Sequence, residues 1–153
     1  MNYECTEIIS LIGKSEKNKE LVEKLTSLKV KFPIKRPRRD ENYTNVVCSN
    51  FGLEFVFEYM DEHHPEGDHD DGEMLLSEVF FRPLYDSKGL VVNSPPYDLS
   101  WSSARKLVRE KLGEPYWTSP MLNNDKWRIG DLFVLIVFDD GELSISEIIV
   151  GLG

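Results

Sequence analysis

The sequence predicts an α+β fold in which a helix followed by three antiparallel strands occurs twice, the two units joined into one sheet or around one shared core. Three observations predict it. Leu21, Val22, Leu25 and Leu28 recur at the three- and four-residue spacing of one helix face. Leu53, Phe55, Phe57 and Tyr59 alternate with Glu54, Val56, Glu58 and Met60, the pattern of a half-buried strand. An apolar-Ser-Glu-apolar phrase appears as Leu76-Ser77-Glu78-Val79-Phe80-Phe81 and again as Ile145-Ser146-Glu147-Ile148-Ile149-Val150. Any two hairpins can share so short a phrase by chance. Duplication is favoured because Phe51-Gly52-Leu53 and Ile129-Gly130-Asp131 precede the long strands in the same way, and an amphipathic helix opens each half. One unit alone leaves a small sheet with a single covered face, whereas two together bury a larger core. The expected layout is one domain over 1–153, with halves at about 1–84 and 97–153.

From Cys5 to Leu28 the chain reads as helical in two pieces. Ile8, Ile9, Leu11 and Ile12 make a short apolar turn ended by Gly13, and Ser15 can cap the longer helix. Its other face, with Lys17, Lys19, Glu20, Glu23 and Lys24, should be wet. Lys29, Lys31, Lys35, Arg36, Arg38 and Arg39 follow with no acid among them, and Pro33 and Pro37 forbid a regular helix, so a solvated, extended connector is expected. Strands are expected around Tyr43–Cys48, Leu53–Met60 and Leu75–Phe81, with Asn50-Phe51-Gly52 as a turn. An irregular passage follows, containing a short strand at Leu90-Val91-Val92.

The second helix begins near Ser100 or Ser102, either of which can cap it. Trp101, Ala104, Leu107, Val108 and Leu112 form its apolar side, and Gly113 and Pro115 stop it. A meander closes the chain: Lys126-Trp127-Arg128, the apolar run Leu132–Phe138, the hairpin turn Asp139-Asp140-Gly141-Glu142, and Leu143–Val150.

Composition narrows the function. With 41% hydrophobic and 11% aromatic residues, the 153-residue chain has the material for a folded core. Cys5 and Cys48 allow one disulfide, but two thiols in a reducing cytosol are the plainer expectation. No basic region precedes an apolar stretch at the start, and no run of 18 apolar residues occurs, so a soluble cytoplasmic protein without a membrane association is expected. The net charge of −9 disfavours nucleic acid as a direct ligand and suits either a basic protein partner or solubility alone. There is no Gly-x-Ser-x-Gly elbow and no phosphate loop, and the Asp139-Asp140 pair is explained by its turn. No enzymatic activity and no cofactor are therefore expected.

The most conspicuous segment runs from Asp61 to Glu73 and holds all 3 histidines. His63, His64 and His69 with the surrounding carboxylates could take zinc, nickel or calcium, although the spacing matches neither the metalloprotease helix nor the calcium loop. A solvated hairpin tip is the plain alternative. A protein-binding loop is the third: Glu62, Glu66, Asp68, Asp70, Asp71 and Glu73 would steer a basic partner toward the chain. Trp117, set between Tyr116 and Pro120 in an expected loop, is either an exposed anchor for that partner or part of the core. Trp101 and Trp127 are expected in the core, Trp127 beneath the second helix.

Several phrases also resemble known proteins. Ile8-Ile9-Ser10-Leu11-Ile12-Gly13-Lys14, Phe51-Gly52-Leu53-Glu54-Phe55-Val56-Phe57 and Leu76-Ser77-Glu78-Val79-Phe80-Phe81 look like small bacterial immunity-type proteins of polymorphic toxin systems. Ser102-Ser103-Ala104-Arg105 through Leu112-Gly113-Glu114-Pro115, then Asp125-Lys126-Trp127-Arg128, is similar to the repeats of the beta-lactamase inhibitor protein superfamily. The resemblance implies a tandem helix-plus-meander fold and a cytoplasmic immunity protein that binds and occludes a cognate toxin. It transfers no contact residue, since that superfamily is typically secreted and disulfide-bonded. A non-toxin interaction adaptor and a metal-binding protein are the alternatives.

Overall fold

The computed structural model describes residues 3–153. Among these residues, three α-helices, α1 (Cys5–Ile9), α2 (Lys19–Ser27) and α3 (Arg105–Leu112), accompany seven strands. These are β1 (Tyr43–Cys48), β2 (Leu53–Tyr59), β3 (Met74–Phe81), β4 (Trp117–Thr118), β5 (Asn124–Ile129), β6 (Leu132–Phe138) and β7 (Ile145–Leu152). They form one antiparallel sheet in the order β1-β2-β3-β7-β6-β5-β4, so a three-stranded meander (β1–β3) and a four-stranded one (β4–β7) meet where their last strands pair. Among the described residues, no helix is long and apolar enough to cross a membrane.

The register at that junction explains the repeated phrase. Phe80 pairs with Ile149, the residue it aligns with in the other half; Val79 then faces Val150, and Phe81 faces Ile148. One equivalent pair lies face to face and the pairs on either side of it exchange by a half-turn, which places a local two-fold axis between Phe80 and Ile149, perpendicular to the sheet. In both halves the register also skips the serine. Val56 pairs with Glu78 but Phe57 with Leu76, and Val137 pairs with Glu147 but Phe138 with Ile145. Ser77 and Ser146 are thus the extra residues of matching β-bulges. The Ser77 hydroxyl, buried, donates to the Val56 carbonyl at 3.1 Å. The turns into β2 and β6 match as well: Gly52 and Gly130 have φ of +67° and +61°. At Gly52 a Cβ would stand 2.5 Å from the Arg82 carbonyl oxygen, so only glycine fits there.

The three α-helices pack on one side of the sheet. The core joins Ile8, Leu21, Leu25 and Val108 to Leu53, Phe55, Phe57, Val134, Ile136 and Val150. These strand residues share one face by alternation and register. Trp127 lies in the same core, and its indole N–H donates to the Gly113 carbonyl at 2.8 Å, tying the end of α3 to β5.

Several local expectations change. Asn18 caps α2, its Oδ1 accepting the Leu21 N–H at 3.1 Å. Ser15 is occupied elsewhere, donating to Glu73 Oε2 at 2.6 Å. Helix α3 starts at Arg105 behind Ala104, with no side-chain cap, because the serines before it bond among themselves: Ser103 Oγ accepts the Ser100 N–H at 3.0 Å. Trp101 is buried, as expected, but in the turn before the helix, and Leu107 is 42% exposed. Leu90-Val91-Val92 forms no strand; only a single bridge links Tyr85 and Val91. Trp117 lies in a two-residue edge strand instead of a loop. The basic connector is anchored: Val30 and Ile34 are buried, and Arg36 makes a two-pronged ion pair with buried Glu16, whose Oε2 also accepts the Met74 N–H at 2.7 Å.

Candidate functional site

The acidic segment between β2 and β3 separates into two groups of carboxylates. Glu73 and Asp70 are used within the molecule. Glu73 accepts from Ser15 and from the Asp70 N–H at 3.2 Å, and Lys17 forms ion pairs with both carboxylates. The Ser15 hydroxyl, above all, holds the Glu73 carboxyl below its ordinary range, and the Lys17 ammonium does the same for Asp70. Glu62, Glu66, Asp68 and Asp71 are exposed, and none has a hydrogen-bonding or ionic partner among the described residues. The histidines do not converge. His69 Nε2 stands 3.0 Å from the His64 carbonyl and 3.2 Å from Asp61, whereas His63 Nε2 faces Glu58 at 3.3 Å. Among the described residues, no three His, Cys, Asp or Glu side chains are placed to hold one metal ion.

The larger feature is the face of the sheet that no helix covers. Alternation and register put Val56, Phe80, Ile149, Phe133, Leu135 and Val137 on it, all outside the helix-side core. Val56 and Ile149 are nearly buried by their neighbours, while Phe80, Phe133, Leu135 and Val137 remain partly exposed. Charges surround this apolar centre. Arg82 bridges Glu147 at 2.6 Å and Glu54 at 2.8 Å, with its guanidinium 5.1 Å from the Phe80 ring centroid. The Lys126 ammonium sits 4.4 Å from the Phe133 centroid. Glu58 and Glu78 complete the acidic side. Burial first, then the neighbouring Glu58 charge, pushes the Glu78 carboxyl above its ordinary range, partly offset by Lys126.

Trp117 borders this face. It pairs with Lys126, shares that residue's side of the sheet and is 46% exposed. At the other margin, Tyr43 and Val47 of β1 are exposed on the same side. Behind Trp117, Thr118 reaches the opposite side, where its hydroxyl donates to Asp125 at 2.9 Å. Neither cysteine is in a disulfide; burial pushes the Cys5 thiol up to about 11, so it is protonated at neutral pH.

None of the apolar residues on the uncovered face stands out in the sequence as a binding residue. The signal that marks them is the run Leu132–Phe138, apolar at every position. A strand with one face in water alternates; one apolar throughout has no face designed for water. The two Ser-Glu phrases place Glu78 and Glu147 beside that run, and only the register reveals it.

No family profile matches the sequence, and no curated protein matches it. Among solved structures, the chain is similar to the crystal structure of a DUF4309 family protein (YjgB) from Bacillus subtilis, with 14% identity and a TM-score of 0.49, over 93% of this chain and 81% of that one.

Proposed function

We propose that this chain is an immunity-type protein that binds a cognate bacterial toxin and blocks it by covering its active or substrate-binding surface with the uncovered face of the sheet. The observation that carries the reading is the composition of that face: an apolar centre of Phe80, Phe133, Leu135 and Val137 within a charged border. An apolar centre with a polar rim is the anatomy of a protein interface. Seven strands at spacings of about 4.8 Å make a face about 30 Å across, a size that suits the roughly 800 Å² per partner of a stable complex. Trp117 at the border supplies an aromatic anchor. The unpaired, exposed carboxylates Glu62, Glu66, Asp68 and Asp71 add negative charge that speeds encounter with a basic surface. The phrases that resemble immunity-type proteins support a toxin as the partner.

The test is co-expression with toxins encoded beside the gene, followed by binding kinetics. Leu135→Asp should abolish protection and weaken the complex at least about 100-fold, while Leu107→Asp on the exposed side of α3 should not. Protection undiminished by Leu135→Asp would refute the reading. Neutralising Glu62, Glu66, Asp68 and Asp71 together should slow association about tenfold at low salt and leave dissociation unchanged.

A further inference from the structure

We infer that the uncovered face receives an arginine side chain from its protein partner at Glu78, between Glu58 and the Phe133 ring, as the counterpart across the local two-fold axis of the contact Arg82 makes with Glu147. The inference rests on the sheet-face reading above and names the chemistry that face recognises.

The axis relates Phe80 to Ile149, Glu147 to Glu78 and Arg82 to Gly151. On one side of it the pattern is complete. Arg82 Nε donates to Glu147 Oε2 at 2.6 Å, Nη1 donates to Glu54 Oε1 at 2.8 Å, and the guanidinium stacks on Phe80. On the other side Glu78 pairs with Gly151, which has no side chain to offer. The chain has no room to restore one: a Cβ on Gly151 would meet Phe133 Cε2 at 2.6 Å and Glu78 Cγ at 2.8 Å. The Phe133 ring and the stem of Glu78 stand where the Cβ of a side chain at residue 151 would begin, so a cation for Glu78 has to come from outside the chain.

Glu78 is therefore a half-buried carboxylate with neither a hydrogen bond nor an ion pair among the described residues. Glu58, on the neighbouring strand, adds a second negative charge, and its own contact is His63 at 3.3 Å. Lys126 helps from a distance, its ammonium lying over Phe133 instead of on the carboxylate. A partner that docked without a cation would strip the remaining water from Glu78, beside Glu58, and put no opposite charge in its place. A guanidinium removes that penalty. It is planar, bonds a carboxylate through two parallel N–H groups and stacks on an aromatic ring, which is what Glu78 beside Phe133 presents; a lysine ammonium does only part of this.

The probe is n-butylguanidinium, the arginine side chain with its α-carbon as a terminal methyl, titrated into the ¹⁵N-labelled protein, with n-butylurea as the neutral control. Saturable amide shifts at residues 78, 80, 133 and 151 are expected for the cation and not for the urea. Glu78→Gln should raise the cation's midpoint at least about fivefold. The inference falls if the cation gives no saturable shift on this face, if butylurea matches it, or if Glu78→Gln leaves the midpoint unchanged. The complex with the toxin separates the two readings. Binding lost with Leu135→Asp but held within about twofold by Glu78→Gln overturns the arginine contact alone, whereas binding indifferent to Leu135→Asp overturns the sheet-face reading itself.

Discussion

Asp125 is a buried charge whose partners are all supplied by neighbouring side chains. Its side chain has no exposed surface, and its carboxylate accepts from Arg105 at 3.0 and 2.5 Å, from Arg109 at 2.9 Å through two nitrogens, and from Thr118 at 2.9 Å. Burial alone would push this carboxyl upward; the hydrogen bonds from Arg105, Arg109 and Thr118 outweigh it and hold the group well below the usual carboxylate range. An aspartate held low contributes stability that is fully present above its unfolded value, near pH 4, and is lost as pH falls through its folded value. Asp125→Asn should therefore destabilise the protein by about 3 kcal/mol, toward the lower end for a buried pair because Arg109 keeps contact with water. Urea unfolding from pH 3 to pH 8 checks this: the gap between wild type and variant should be flat above about pH 5 and narrow below about pH 4. In the sequence, Asn124-Asp125-Lys126 looks like the wet start of a strand. Arg105 and Arg109 look like the solvated side of a helix, and only tertiary packing turns the three inward. Glu78 is equally unreadable from sequence, because nothing in the phrase around it says that its mate across the axis has an arginine and it does not.

Among the elements, those with a strong period were legible and those defined by a single contact were not. Strands β2, β3 and β6 are spelled out by Leu53-Phe55-Phe57, by the Ser-Glu phrase and by the run Leu132–Phe138. Strand β4 has only two residues and no period to detect. Leu90-Val91-Val92 has the composition of a strand but lies at the surface with no neighbouring strand to complete a ladder. Caps are not legible from sequence because several polar side chains near each helix start can serve, and tertiary contacts choose among them. Helix α2 took Asn18 once Ser15 was engaged by Glu73, and α3 took no side-chain cap at all. Ala104 already has the extended conformation of a cap, with φ −71° and ψ 154°, and the Arg105 N–H is satisfied by the Glu142 carbonyl at 2.9 Å. Ala104→Ser should accordingly stabilise the protein by about 0.5–1 kcal/mol through the N–H groups of the next two residues. A rise in the urea midpoint at constant slope would confirm it; no rise would mean that those amides are already well solvated.

At the scale of the whole molecule, the doubled architecture was foreseeable from two short phrases, but the way the halves join was not. Periodicity says which residues alternate, not which strand lies beside which, and not which face of the finished sheet stays uncovered. The junction is the β3–β7 ladder from Glu78 to Phe81 against Ile148 to Gly151. If each half depends on that ladder, residues 1–84 and 97–153 made separately should each be unfolded or aggregated by circular dichroism and gel filtration, and mixing them should restore strand signal and a species of full size. A half that folded alone would show that the two units are independent.

The two outer strands of the sheet are unlike in a way that limits how copies can associate. Strand β4 is two residues long, between Pro115 and Pro120, and offers almost nothing for another strand to bond. Strand β1 spans Tyr43–Cys48 without a proline, a charged side chain or a bulge. Growth by strand addition therefore has a single starting margin, and two molecules that met there would use it up on both sides. Crowding of this protein would end in closed pairs, because the far margin gives a fibre no place to continue.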